Sequence, residues 1–370
     1  MRLYLGDKIF TLIVTALIVL GTAVFLSASL GLLARQNTDI GHLAMTQLLL
    51  GLLPGIGILI GLQFIKTSFI QKIVIPIYIA CLLLTAAVFI PQFGVHANGA
   101  SRWIDIGPIT VQPGEFLKIG VVLMFAAYLS KNRARLHDMK YGLLGYAAIV
   151  GLPAILLIAQ PNTSTLLVLA TTTALMYFVA GAPLRDFGIL LVVALIGLGV
   201  LVALRPYLLQ RITTFINPSH GALTSGYQIQ QSLIAIGSGG VLGRGYGQSV
   251  QKFNYLPEAV DDAIFAVYAE EFGFFGTIIL LLLFLGFATR GFMIASRSST
   301  PFGTFAVTGL TLLVTISALL NIGAMLSIFP LTGLPLPFVS HGGTALLATL
   351  TTVGIILNIA SRKNKAKASS

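Results

Sequence analysis

Ten long apolar runs, separated mostly by short connections, constrain this chain more than any other feature. They lie near residues 9–34, 43–63, 73–93, 114–130, 141–160, 163–181, 186–204, 262–289, 302–328 and 341–361. A helix rises about 1.5 Å per residue, so roughly 20 apolar residues cross a hydrocarbon core about 30 Å thick. Composition points the same way. Charged residues make up 9% of the 370 positions, hydrophobic residues 56%, and mean hydropathy is +0.95. Soluble domains carry about 25% charged residues, and a globule of this size could not cover its surface with so few. An ordinary cytosolic enzyme, a disordered chain and a secreted disulfide scaffold are excluded. The chain is predicted to be an all-α polytopic membrane protein, one domain over 1–370, with about ten transmembrane helices. The first run, preceded by Arg2 and Lys8, is too long for a signal-peptide core and has no Ala-x-Ala site, so it is read as a span.

Charge sets the expected orientation. Net charge is +11, which in a soluble protein would suggest nucleic acid. Here the basic residues sit in short connections, where topology and the lipid bilayer explain them better; no nucleic-acid partner is expected. With the N-terminus inside, the cytoplasmic segments hold Arg2, Lys8, Lys66, Lys72, Lys131, Arg133, Arg135, Lys140, Arg185, Arg290, Arg297, Arg362, Lys363, Lys365 and Lys367. The outer segments keep Arg35, Arg102, Arg205, Arg211, Arg244 and Lys252. Both termini are therefore expected to be cytoplasmic. Two outer segments stand out by length, 94–113 and 205–261. The second contains apolar helical stretches such as Gln228–Ile236 and is expected to fold over the outer mouth as one large loop between spans seven and eight. Cys81 stands alone, and the five histidines (His42, His96, His137, His220, His341) are scattered, so neither a disulfide nor a zinc site is expected.

Chemistry should lie where polar residues interrupt apolar runs, because ionisable groups in a span rarely face lipid. Glu115 and Lys118, in Gln112-Pro113-Gly114-Glu115-Phe116-Leu117-Lys118, stand three apart at a helix start. They read either as a cap with an intrahelical ion pair or as a charged wall that meets a phosphate. Arg102, beside the only tryptophan, Trp103, reads as an interfacial anchor or as a bidentate anion binder. Glu258, Asp261 and Asp262 bring three carboxylates within five residues. They cap a helix, or one of them, its ionisation shifted by its neighbours, acts as a general base or metal ligand. The glycine-rich stretch 237–247 fits neither a Walker nor a Rossmann pattern and reads first as tight turns with close backbone packing. Around Ser340 and His341, in 333–344, non-helical backbone implies a re-entrant or buried turn; His341 is a turn histidine or a proton exchanger. Glu270 and Glu271, inside span eight, are buried partners for a Lys or Arg, or part of a proton path.

These stretches, in this order, resemble the FtsW/RodA/SpoVE (SEDS) family of cell-wall polymerases over nearly the whole chain. The most specific matches are 243–259 (GRGYGQSVQKFNYLPEA), the Asp262 and Glu270-Glu271 segments that follow, and 333–340 (GLPLPFVS). The wording of the first looks more like the FtsW division branch than the RodA elongation branch. The resemblance implies a peptidoglycan glycosyltransferase of the bacterial cytoplasmic membrane that polymerises lipid II and releases undecaprenyl pyrophosphate. Its essential loop aspartate falls on Asp262, its Arg-Trp and Gln-Pro-x-Glu-x-x-Lys motifs on Arg102, Trp103, Glu115 and Lys118, and its loop arginine on Arg211. Glu258, Ser340 and His341 complete the expected substrate-binding set. Three positions depart from the family pattern: Asn162 replaces an Asp, Val260-Asp261 replaces His-Thr, and His341 replaces a Tyr.

The reaction so implied is inversion at the anomeric carbon of one lipid II by the 4-hydroxyl of another. Asp262 takes the proton, directly or through a divalent cation such as Mg or Mn, and Arg102, Lys118 and Arg211 neutralise the leaving pyrophosphate. No nucleotide is required. A class B penicillin-binding protein is the partner the resemblance implies. A lipid II flippase and a non-catalytic scaffold for a transpeptidase are the competing readings.

Overall fold

The computed structural model describes residues 7–34, 45–97, 100–107, 109–217, 225–253 and 255–368. Arg2, Arg35, His42 and His220 lie outside them, as do the side chains of His96, Arg362, Lys363, Lys365 and Lys367. Helices dominate: α1 (Lys8–Leu30), α2 (Leu53–Leu62, entered through a π-helical stretch Thr46–Leu52), α3 (Thr67–Ala87), α4 (Pro113–Asn132), α5 (Leu143–Ala159), α6 (Thr163–Val179), α7 (Leu184–Leu204), α8 (Pro206–Ile216), α9 (Ser225–Ser238), α10 (Ile264–Ser296), α11 (Pro301–Met325) and α12 (Gly343–Ala368). Seven of the described helices are long and apolar enough to cross a membrane; Thr46–Leu62, Leu143–Ala159 and Thr163–Val179 are apolar but shorter. Each coincides with one of the ten runs. The third helix starts at Thr67 rather than near 73, because Lys66, in extended conformation, starts it.

Helix starts follow local chemistry. Asp7 accepts from the Phe10 amide at the head of α1 (3.0 Å), Asn162 from the Thr165 amide at the head of α6, and Thr300 from the Gly303 amide at the head of α11. Proline opens α4, α8 and α11, where its missing N–H costs nothing. Helices α4 and α11 form the buried centre of the bundle, whereas the apolar stretch of α7 is exposed along its length. At one end, Asp7 Oδ1 and Oδ2 accept from Arg290 Nε and Nη2 at 2.9 and 2.8 Å and tie α1 to α10. At the opposite end, described residues of 94–111, 160–164, 205–217, 225–263 and 326–342 meet.

The chain is not all-α. Residues 94–111 form a three-stranded antiparallel sheet, β1 (Gly94–Ala97), β2 (Ala100–Ile106) and β3 (Ile109–Val111). Gly94 pairs with Ile104 and Ile104 with Val111. The sequence carries the signal: Asn98-Gly99, a strong hairpin pair, stands between the β1 and β2 segments. The expected helical stretch near 228–236 is α9.

Candidate active site

Asp262 sits two residues before α10, in the bend 258–263, with 9% of its surface exposed. The bend is pinned by its backbone. Asp261 and Ala263 amides donate to the Glu258 carbonyl at 3.0 and 3.1 Å, with Glu258 itself in the left-handed region (φ 51°). From α11, Asn321 Nδ2 donates to the Asp262 carbonyl (2.8 Å) and to the Leu334 carbonyl (2.7 Å), bracing the bend against the 333–340 segment. Ser340 Oγ donates to the Asp261 carbonyl (2.5 Å) and accepts from the Leu336 amide (2.7 Å).

The carboxylate has two unlike sides. Oδ1 accepts from Gln228 Nε2 of α9 at 3.1 Å. Oδ2 looks toward Gly333, where an added Cβ would stand 3.9 Å from it and 3.8 Å from Arg211 Nη2. Gly333 has φ 67°, a conformation that side chains resist. Arg211, on α8, donates to the Thr332 carbonyl (3.3 Å) and lies over the Tyr207 ring at 5.8 Å. Burial, and next the charge of Asp261, push the Asp262 carboxyl up to about 6, against the pull of Gln228 and Arg211. An aspartate so placed is ionised at neutral pH yet basic enough to take a proton.

The other expected residues fall into place around it. Arg102, on β2, donates to the Pro161 carbonyl, and its buried Nε has no hydrogen-bond partner among the described residues. Burial lowers its pKa, the Tyr207 phenol opposes that, and Arg211 lowers it further, so the two guanidiniums share one neighbourhood. His341 Nδ1 is 3.1 Å from Asp261 Oδ1, and its ring stacks on Phe25 at 5.7 Å. The departures at 261 and 341 are thus in contact with each other. Glu258 is exposed on the bend. Glu115 and Lys118 form a buried pair (2.9 Å) in the wall of a narrow cleft of about 30 Å³, bounded by α4, α11, α12 and the 334–340 segment. Leu334 and Ser340 line that cleft and also brace the bend holding Asp262. The structure therefore gathers Asp262, Arg211 and Arg102 at one end of the bundle, with Glu115–Lys118 in the adjoining cleft. Asn321 and Tyr207 were not singled out in the sequence, and Gln228 and Gly333 only as the ends of stretches, without a role at the site. Asn321, an amide interrupting the apolar run of span nine, carried a legible signal.

Glu270 and Glu271 serve another purpose. Glu270 accepts from Ser249 Oγ (2.5 Å), Ser238 Oγ (3.2 Å) and the Val250 and Gln251 amides (3.2 Å each), and pairs with Arg244 at 3.3 Å. Glu271 accepts from Ser27 Oγ (2.6 Å) and Lys252 Nζ (2.7 Å). They hold the glycine-rich stretch against an interruption of α10 at Gly273 (φ 64°), where Gly243 and Gly273 approach backbone to backbone: a Cβ on Gly273 would stand 2.3 Å from the Gly243 nitrogen. Among the described residues, no three His, Cys, Asp or Glu side chains converge on a metal position.

Comparison with known proteins agrees with this architecture. The model of the FtsW/RodA/SpoVE family, described as "cell cycle protein", matches residues 7–365. Stage V sporulation protein E of Bacillus subtilis (strain 168) is 39% identical over 281 residues, 76% of this chain and 77% of that protein. A probable peptidoglycan glycosyltransferase FtsW of Trichlorobacter lovleyi is 35% identical over 97% of this chain and 94% of its own. Among solved structures, a chain from work on "structural coordination of polymerization and crosslinking by a peptidoglycan synthase complex" superposes with TM-score 0.79 at 27% identity, covering 96% of this chain and 98% of that one. The rod shape determining protein RodA of Thermus thermophilus does so with TM-score 0.70 at 27% identity, covering 96% and 97%.

Proposed function

The chain belongs to the FtsW/RodA/SpoVE family, and we propose that it is a peptidoglycan glycosyltransferase that polymerises lipid II, with Asp262 as the general base. The supporting observation is a desolvated aspartate, braced by Asn321, whose free oxygen shares the Gly333 niche with Arg211. Relatives named as peptidoglycan glycosyltransferases and a polymerase–crosslinking complex of the same fold support the same reading.

In this reading ten helices span the bacterial cytoplasmic membrane with both termini inside, and the Asp262 end faces outward. The acceptor lipid II enters with its 4-hydroxyl against Asp262. Its O–H bond breaks toward the carboxylate as the oxygen bonds to the anomeric carbon of the donor. The bond from that carbon to the pyrophosphate breaks on the opposite side, and undecaprenyl pyrophosphate leaves with the electron pair. Arg211 and Arg102 meet the charge that grows on the pyrophosphate, and low local dielectric makes each worth more than in water. The Glu115–Lys118 pair lines the narrow cleft that adjoins the Asp262 bend. A class B penicillin-binding protein supplies crosslinking, and a divalent cation, where needed, arrives with the substrate rather than in a protein site.

The test is polymerisation of labelled lipid II by the purified protein in detergent, with and without a chelator. Glycan ladders from the parent chain and none from Asp262→Ala are expected. Ladders of parental yield from Asp262→Ala would remove Asp262 from catalysis. Absence of ladders from the parent, alone and with the transpeptidase added, would favour a flippase or scaffold, since detergent has no leaflets to flip between.

A further inference from the structure

Asp262 owes its orientation to a residue outside the bend that carries it. Helix α9 is part of the folded outer segment, and Gln228 reaches from its second turn to Oδ1 at 3.1 Å. Oδ2 is left on the other side, where Gly333 presents no side chain and Arg211 Nη2 stands beside the same niche. A carboxylate free to rotate would present either oxygen, in either lone-pair direction, to an incoming hydroxyl. A carboxylate with one oxygen tied presents a single edge. We propose that Gln228 is a positioning residue for Asp262: by tying Oδ1 it reserves Oδ2, on the Gly333 and Arg211 side, as the oxygen that takes the hydroxyl proton. The inference rests on the reading of Asp262 as the base.

The assignment has a steric corollary. Between Oδ2 and Arg211 the niche is bounded by a residue with φ 67° and no Cβ, so no side chain from position 333 stands between Oδ2 and an incoming hydroxyl. The transferred proton then lies on Oδ2, and Gln228 goes on donating to Oδ1. A hydrogen bond to an ionised group contributes more than one between neutral groups, so losing it disfavours the charged, proton-accepting form. The charged groups around Asp262 on neighbouring elements are Asp261 in the same bend with His341 bound to it, and Arg211 on α8. The Glu115–Lys118 pair on α4 balances its own charge.

The experiment is lipid II polymerisation by the purified full chain across pH 5–9, comparing the parent, Gln228→Met and Gln228→Glu, with thermal melting of each in the same detergent. Met keeps the length and removes the donor; Glu keeps the shape and adds a like charge. For Gln228→Met, kcat is expected to fall about tenfold, KM to change less than twofold, and the acid limb to move to higher pH. Gln228→Glu is expected to move that limb further than Met does. This order is one that a merely structural role would not produce. Acid limbs unmoved in both variants, or a loss carried by KM alone, would overturn the proposal. With Asp262→Ala inactive, that result sinks the role of Gln228 and leaves the base intact; with Asp262→Ala active, the reading of the base itself fails.

Discussion

Two acidic pairs stand within three turns of each other around the start of α10, and they are treated in opposite ways. Glu270 and Glu271 are buried and fully answered, by three hydroxyls, two amides, Lys252 and Arg244. Asp262 is nearly as buried but has one amide donor on Oδ1 and a like charge beside it. The first pair closes a seam between the glycine-rich stretch before α10 and the broken helix. The second keeps an unanswered oxygen beside a niche. Where a buried carboxylate is satisfied it holds structure together; where it is left short of partners, the fold bears a cost that chemistry can use.

The contrast is sharpest in what removal does. Asp262→Ala is expected to cost about 10²–10⁴-fold in turnover, the range of general-base catalysis, with the melting transition kept. Lys252→Met leaves Glu271 charged and unpaired in a fully buried position, and breaking such a pair costs about 3–5 kcal/mol. Its melting temperature is expected to drop steeply, while turnover per folded molecule stays near parental. A Lys252→Met protein with parental stability would show that the seam contributes nothing. Arg211→Ala removes the cation that shares the niche with Oδ2 and pulls its ionisation down. We expect about a 10–100-fold loss in kcat/KM, in line with removal of one electrostatic stabiliser, and an acid limb displaced to higher pH. Unchanged pH dependence would place Arg211 outside the site. The smallest effect is expected at Asn162, which caps α6 through Oδ1 while its Nδ2 is buried without a partner. Asn162→Asp keeps the cap and removes the orphan donor, so turnover should stay within about threefold and stability within about 1 kcal/mol. A tenfold change in either would mean that charge at this position matters.

Much of this was legible in the chain. The ten runs became ten helical segments because length and apolarity leave a segment few alternatives. Pro113 marked the start of α4 by local chemistry alone. The grouping of Arg102, Arg211 and Asp262 came from the resemblance; the fold brings them together across more than 150 residues. The sheet at 94–111 lies in a connection, where helical periodicity carries no signal, and its one local mark is Asn98-Gly99. Pairings that depend on distant segments were not legible. Nothing local links Gln228 to Asp262, Lys252 to Glu271, or the substituted residues Asp261 and His341 to each other. Each pairing is set by how the segment 225–263 lies on the bundle.

The contrast also has a sign that one variant reads. Raised from 3.8 to about 6, the Asp262 carboxyl favours the folded state in its neutral form. That contribution is complete below 3.8 and is lost as pH rises through 6. At pH 7 the ionised group therefore costs the fold up to about 3 kcal/mol. Asp262→Asn keeps the shape and removes the charge. Measured on one preparation at pH 7, it is expected to lose glycan synthesis and to melt at or above the parental temperature. Retained synthesis, or a melting temperature well below the parent, would contradict the claim that Asp262 is held under-satisfied for catalysis.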